Sequence, residues 1–227
     1  MLGWTIALLS RHPEEFAALR AAIIAHFGTE SNPTNELTFS SLKACKQLTH
    51  VFYETLRLYP LVPLNGREAV RDTILPRGGG EGGKMPIVVP KGTQVGYPSW
   101  ILHRREDIWG KDAGIFRPGR WEGRKLGWEF IGFSGGPRVC LGREFLPFAL
   151  SFLLFSRDGR TIMLGCVLTF ETEQYALNEA SFVLVKLLQR FDKIEAADMK
   201  TPIRKSLTII LAPGENGTRV RMHKASD

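Results

Sequence analysis

The stretch that decides the reading is Phe133-Ser-Gly-Gly-Pro-Arg138-Val-Cys140-Leu-Gly142, which runs on into Arg143-Glu144-Phe145-Leu-Pro147-Phe-Ala-Leu-Ser-Phe152. Its first ten residues look like a loop built to hold one cysteine beside a cofactor. An aromatic at 133, glycines at 136 and 142, an arginine at 138 and a cysteine at 140 stand at set steps. From the composition of this chain, such a match arises by chance in roughly one of ten thousand chains of the same size. The alternative is a structural cysteine buried in a glycine-rich turn. Beyond Gly142 the text changes character, becoming an apolar run broken by Pro147.

Composition sets limits around this loop. With 227 residues, 44% of them hydrophobic and 23% charged, the chain can bury one good core or two small ones and is not disordered throughout. The net charge of +7 is scattered along the chain. No arginine-rich arm, zinc-finger spacing or aromatic–basic stripe accompanies it, so it indicates a weak preference for acidic partners and no nucleic acid. Cys45, Cys140 and Cys166 are an odd set at no ligand-like spacing. They argue against a disulfide framework or a zinc site and for a reducing compartment. Asn216-Gly217-Thr218 fits a glycosylation acceptor but, with no secretory signal, reads as a tight turn between strands. The apolar run from Phe145 to Phe155 is too short to span a bilayer.

Hydrophobic spacing then divides the chain. Ile6, Leu8 and Leu9 end a first helix, and Pro13 with Glu14 and Glu15 starts a second, because proline and acids suit a first helical turn. Phe16, Leu19, Ile23, Ile24 and Phe27 keep helical steps until Gly28. A further helix is expected to run unbroken with Leu42, Cys45, Leu48, Val51, Phe52, Thr55, Leu56 and Tyr59 on one face, ended by Pro60 and Pro63. Residues 88–95 read as strand, turn, strand, that is, a hairpin at Pro90-Lys91-Gly92-Thr93. Residues 175–191 are helical, with Ala176, Ala180, Val183, Leu184, Leu187 and Leu188 facing the core. The segments 206–211 and 218–222 are expected to pair as a closing hairpin.

The loop at 133–142 is the signature of the cytochrome P-450 (haem-thiolate) family, which this sequence resembles. The resemblance implies a mainly α fold with small β-sheets (α+β), here the C-terminal half of that fold, truncated, with 1–227 forming a single partial domain. It implies Cys140 as the ligand of haem b (iron protoporphyrin IX), since a thiolate pushes electron density onto the iron. Gly136 and Gly142 would let the backbone pass close to the porphyrin and aim N–H groups at the sulfur. Arg138 would meet a haem propionate with its planar fork, and Phe133 would pack beside the ring.

Further motifs agree with it. Glu54-Thr-Leu-Arg57 matches the family's E-x-x-R, whose members share a helix face. Glu68-Ala-Val-Arg71 has the same pattern but lies past two prolines in extended sequence. Phe116-Arg-Pro-Gly119-Arg120-Trp121 matches F-x-P-E-R-[FW] with glycine in place of the glutamate, so a structural charge network of Glu54, Arg57 and Arg120 can still form. Arg67 matches a second propionate-binding arginine. His103-Arg104-Arg105 and Gln174-Tyr-Ala-Leu-Asn-Glu-Ala resemble the fungal alkane and fatty-acid hydroxylase branch. His103 either approaches the haem edge or is a satisfied polar residue. A cysteine–histidine hydrolase using Cys140 and His103 is a third class of reading, without an orienting third member. Gly78 to Lys84 nearly spells a phosphate-binding loop, but Met85-Pro86 stands where a Ser or Thr and a helix start are required.

The resemblance implies a monooxygenase that places one oxygen atom of O₂ into a C–H bond of an alkane or fatty acid. Electrons would come from NADPH through an NADPH-cytochrome reductase, at the cytosolic face of the endoplasmic reticulum membrane. The N-terminal membrane anchor, the acid–threonine pair of the oxygen-activating helix and most of the pocket for the hydrophobic substrate are expected to be absent. This chain is expected to be inactive, or else a non-enzymatic fragment that binds haem weakly or misfolds. Residues 143–173 interrupt the family's C-L-G-Q-Q-[FY]-A-L run. Codon choices allow a GT donor at Arg143 and an AG acceptor at Glu173, whose joining restores that run with Gln174. The segment is therefore expected to be a retained intron translated in frame, the alternative being a genuine insertion.

Overall fold

The computed structural model describes residues 1–140, 175–208 and 210–225. Gly142, the whole of 143–173 and Gln174 lie outside the described residues, and with them the readings made there.

Pro13 and Gly28 bracket the helix on which the core is built. Helix α2 (Pro13–Phe27) has proline at its first position and Glu14 and Glu15 in its first turn, where both suit the free N–H groups and positive dipole end. Gly28 stops it with φ +77° and ψ −175°, backbone that only glycine adopts without strain, and a Cβ there would lie 2.3 Å from the Asn32 carbonyl oxygen. Phe16, Leu19, Ile23 and Phe27 are buried along one side of it, each such side chain contributing roughly 1.5–3 kcal/mol by leaving water.

Around α2 pack α1 (Leu2–Leu9), α3 (Phe39–Ala44), α4 (Lys46–Leu58) and α7 (Tyr175–Arg190). Their shared core holds Leu8, Leu9, Leu42, Val51, Phe52, Leu184 and Leu188. The helix expected to be continuous from Leu42 to Tyr59 is two helices. Cys45, at φ −78° and ψ +83°, leaves the helical region and ends α3 before α4 begins, which lets Leu42 and Leu48 both reach the core. The fold on α7 also differs from the spacing. Leu177, Ala180, Leu184, Val185 and Leu188 are buried, whereas Ala176 and Val183 face solvent, so the apolar stripe sits about one residue round from the expected one.

The strands form four two-stranded antiparallel sheets among the described residues. Strand β1 (Asn65–Glu68) pairs with β4 (Gln94–Tyr97), and β2 (Thr73–Gly79) with β3 (Met85–Val89). The hairpin expected across residues 88–95 is therefore corrected: its two strands pair with different partners. Pro90 has no N–H to give, the Lys91 amide donates to Asp72 Oδ1 and the Gly92 amide to the Ala69 carbonyl, so the turn is tied to the β1–β2 connection. The C-terminal hairpin is corrected in the same way. β6 (Lys205–Leu207) pairs with β7 (Leu211–Pro213), while β8 (Val220–Lys224) pairs with β5 (Phe191–Ala196). Asn216 sits in a helical turn between β7 and β8, its side chain bonded to the Arg204 amide and the Pro202 carbonyl. The class is mixed α and β. Among the described residues no helix is long and apolar enough to cross a membrane.

Short helices α5 (Ser99–Leu102) and α6 (Glu106–Trp109) and a 3-10 turn at Pro118–Trp121 lead toward the cysteine loop. Trp109, Ala113 and Trp121 make a separate core there, with Tyr53, Ile108 and Phe130 packed on it. This block carries the site.

Candidate functional site

Glu54 and Arg57 lie one turn apart on α4, so their side chains meet on one face. Arg57 Nε donates to Glu54 Oε2 and Nη2 to Oε1, both at 2.8 Å, the two-pronged bond for which a planar guanidinium is shaped. Arg120 Nε reaches Oε1 at 2.8 Å, the Arg117 amide reaches it at 2.9 Å, and Trp121 Nε1 reaches Oε2 at 3.1 Å. The carboxylate thus accepts from every side while fully buried. Arg57 Nη1 spends its remaining donors on the carbonyls of His103 (2.7 Å) and Ala113 (2.6 Å). The structure so brings Glu54, Arg57 and Arg120 together.

Gly119 leaves open space around a notional Cβ, and the second acid that Arg120 meets is Asp112, at 3.3 Å from Nη2. The hydrogen bond from Arg120, with the charges of Arg120 and Arg117, holds the Asp112 carboxyl below its ordinary range. Asp112 escapes the sequence reading because nothing in its local spacing points to Arg120, and the motif that holds Arg117 and Trp121 does not say that they too donate to Glu54.

Next to this network His103 is wholly buried at the end of α5. Its ring stacks on Phe130 with centroids 5.3 Å apart and meets the edge of Trp109 at 6.5 Å. Nε2 accepts from the Ile131 amide at 3.0 Å, and Nδ1 makes no close hydrogen bond among the described residues. Burial lowers its pKa from 6.5 to about 4 against the upward pull of the Arg57 and Leu56 backbone, and the charges of Arg57 and Arg104 add to the lowering. Its Nε2 is engaged as expected for a polar residue satisfied by its neighbours. Its engaged Nε2 also leaves no base for Cys140, which removes the cysteine–histidine hydrolase.

The loop itself is closed by its own backbone. The Cys140 amide donates to the Phe133 carbonyl at 3.0 Å, and the Val139 amide to that of Gly136 at 3.0 Å. Gly136, the motif glycine among the described residues, has φ +67°, and a Cβ on its neighbour Gly135 would stand 2.6 Å from the Trp128 ring. Phe133 is half-buried and packs on the main helical core. Cys140 is a free, exposed thiol, in contrast to Cys45, whose thiol burial pushes upward in pKa and out of reach of reagents.

Beside the loop opens a cleft of about 320 Å³ lined by Arg67, Tyr97, Leu102, Trp128, Pro137 and Arg138. Arg67, on β1 opposite Val95, lies over the Tyr97 ring at 5.4 Å and donates to the Gly66 carbonyl. The two arginines singled out from sequence therefore share one cleft. Trp128, 75% exposed, was not foreseen, since a lone tryptophan carries no spacing signal.

A family model described as cytochrome P450 matches residues 1–154. The chain belongs to the cytochrome P450 family. Cytochrome P450 monooxygenase g430 of a Fusarium species is 45% identical over 220 residues, which cover 97% of this chain and 33% of that protein. Cytochrome P450 52A6 of Candida tropicalis is 39% identical over 227 residues, covering 98% of this chain and 37% of its own. Cytochrome P450 monooxygenase alt2 of Alternaria solani is 40% identical over 218 residues, 94% of this chain and 35% of its own. This P450 chain spans about a third of the length of the curated relatives it matches, less than the half expected from the resemblance. Among its described residues no three His, Cys, Asp or Glu side chains cluster as a metal site, and a P450 needs none, because one thiolate suffices for haem iron.

Proposed function

We propose that this chain carries the thiolate side of the haem site of a monooxygenase that hydroxylates alkanes or fatty acids. The observation that carries the proposal is the cleft shared by Arg67 and Arg138, next to a self-closed loop with an exposed Cys140 thiol. The residues fit haem b in kind. A free cysteine offers the soft donor, two guanidinium groups suit two propionates, and Trp128 and Leu102 give the cleft apolar walls. When bound, a thiolate-ligated haem supplies the activation of O₂ for insertion of one oxygen atom into a C–H bond.

The protein's part is to hold and orient. Cys140 would be the ligand, Arg138 and Arg67 would hold the carboxylate edge, and Gly136 would let the loop's backbone come close. Phe133 shields the sulfur side from water. Arg57, held by Glu54, donates to the carbonyls of residues 103, 113 and 115, Arg120 donates to that of 115, and together they hold the platform on which the loop rests. Electrons come from an NADPH-dependent cytochrome reductase, and the whole enzyme works at the cytosolic face of the endoplasmic reticulum membrane. The alkane and fatty-acid assignment rests on His103-Arg104-Arg105 and Gln174 to Ala180, which resemble that branch.

Turnover belongs to the whole enzyme, and this chain by itself does not hydroxylate. Residues 143–173 are a translated retained intron. Sequencing the transcript is expected to find a form lacking them, and genomic bases without GT and AG borders would sink that reading. Haemin titration of the chain tests the ligand. Wild type is expected to give a thiolate-type Soret shift with carbon monoxide, and Cys140→Ser to lose it at equal haem content. The same Soret position in both overturns Cys140 as ligand. Hydroxylated fatty acid formed by the chain with reductase and NADPH overturns its inactivity.

A further inference from the structure

His103 joins the buried charge network to the segment that leads into the cysteine loop. Its carbonyl oxygen accepts from Arg57 Nη1 at 2.7 Å, which ties its backbone to the buried Glu54–Arg57 pair. Its ring Nε2 accepts from the Ile131 amide at 3.0 Å, two residues before the cysteine loop begins at Phe133. The Ile131 carbonyl then accepts from the Ser134 amide, and the Phe133 carbonyl from the Cys140 amide, both at 3.0 Å. A continuous path of hydrogen bonds and three short backbone steps thus runs from the charge network to the amide of the proposed iron ligand.

Two further observations single out this histidine. With Nε2 accepting, the ring proton sits on Nδ1, on the side where the ring meets the backbone of Arg57 and Leu56. A position that needed only to fill space between Phe130 and Trp109 would be served by phenylalanine. Burial also keeps the ring neutral in neutral solution, so Nε2 keeps the lone pair that holds Ile131.

We propose that His103 is a positioning residue for the thiolate loop, its Nε2 fixing the Ile131 amide and so the start of the segment that presents Cys140. The proposal rests on the reading of Cys140 as haem ligand given above. His103 touches neither ligand nor substrate and acts through the loop.

The test compares the full chain with His103→Phe, which keeps the ring stack but has no acceptor, and His103→Gln, whose amide oxygen can reach the place of Nε2. Residue-resolved hydrogen exchange is the readout that needs no haem. His103→Phe is expected to exchange Ile131 about tenfold faster or more, with the amides of α4 unchanged and His103→Gln close to wild type. On addition of haemin, His103→Phe is expected to show a smaller share of thiolate-type Soret signal at equal haem content, restored in His103→Gln. Unchanged Ile131 exchange in His103→Phe overturns the proposal, as does a Gln variant no better than Phe. If His103→Phe does not fold, Ile131 in wild type decides: exchange as fast as that of exposed loop amides overturns it. A wild-type chain that takes up haem without a thiolate signal defeats the ligand reading instead, while the Ile131 exchange still judges the contact.

Discussion

Replacing Glu54 by glutamine removes one charge and barely changes shape, so the cost it reveals is electrostatic. In the native chain Oε1 accepts from Arg57, Arg120 and the Arg117 amide, and Oε2 from Arg57 and Trp121. A glutamine can keep its oxygen at the first place. Its NH₂ then faces Arg57 Nε and Trp121 Nε1, two donors with nothing to accept them. The guanidinium of Arg57, at 0% side-chain exposure, would lose the charge it pairs with, while that of Arg120, at 3%, would keep Asp112. Breaking a buried pair in this way costs about 3–5 kcal/mol, a large part of the roughly 5–15 kcal/mol that holds a domain together. With a urea slope of about 2 kcal/mol per molar, the midpoint should fall by about 2 M. Urea titration followed by tryptophan fluorescence measures this, because Trp109 and Trp121 lie in the same block. The control is Asp107→Asn, which breaks an exposed pair with Arg105 and should move the midpoint little. Equal shifts for the two variants would refute the reasoning, since they would mean that Glu54 compensates no buried charge.

Acid should weaken the fold through His103. Its folded pKa of about 4 lies below the ordinary 6.5, so stability is intact above pH 6.5 and is lost as pH falls toward 4, by about 3 kcal/mol in all. Subtracting the profile of His103→Gln, measured by the same titration from pH 7 to 4, isolates this loss from that of the carboxylates; a zero difference contradicts it. Gly28→Ala should lower stability by about 1–3 kcal/mol, because φ +77° with ψ −175° is glycine territory and the new methyl would meet the Asn32 carbonyl. A thermal melt unchanged from wild type would show that the turn relaxes freely.

Several features of this protein could be read before any fold was known, and each is local. The loop at 133–142 names a family because its residue types stand at set steps along ten consecutive positions. Glu54 and Arg57 pair because a helix brings residues three apart onto one face. Pro13 and Gly28 mark a helix because their own backbone preferences suit its two ends. Tertiary structure decided what depends on segments far apart in the chain. It broke the expected helix at Cys45, where two short helices both reach the core. It gave β3 and β4 different partners, since the turn between them bonds to Asp72 and Ala69. It also supplied Asp112 to Arg120 where the motif has only Gly119. Above all it turned His103 inward, between Arg57 and Ile131. Alternation and helical period record which face of an element is apolar. They hold no information on which distant carbonyl or amide completes a buried polar group, and that choice is made only when the elements pack.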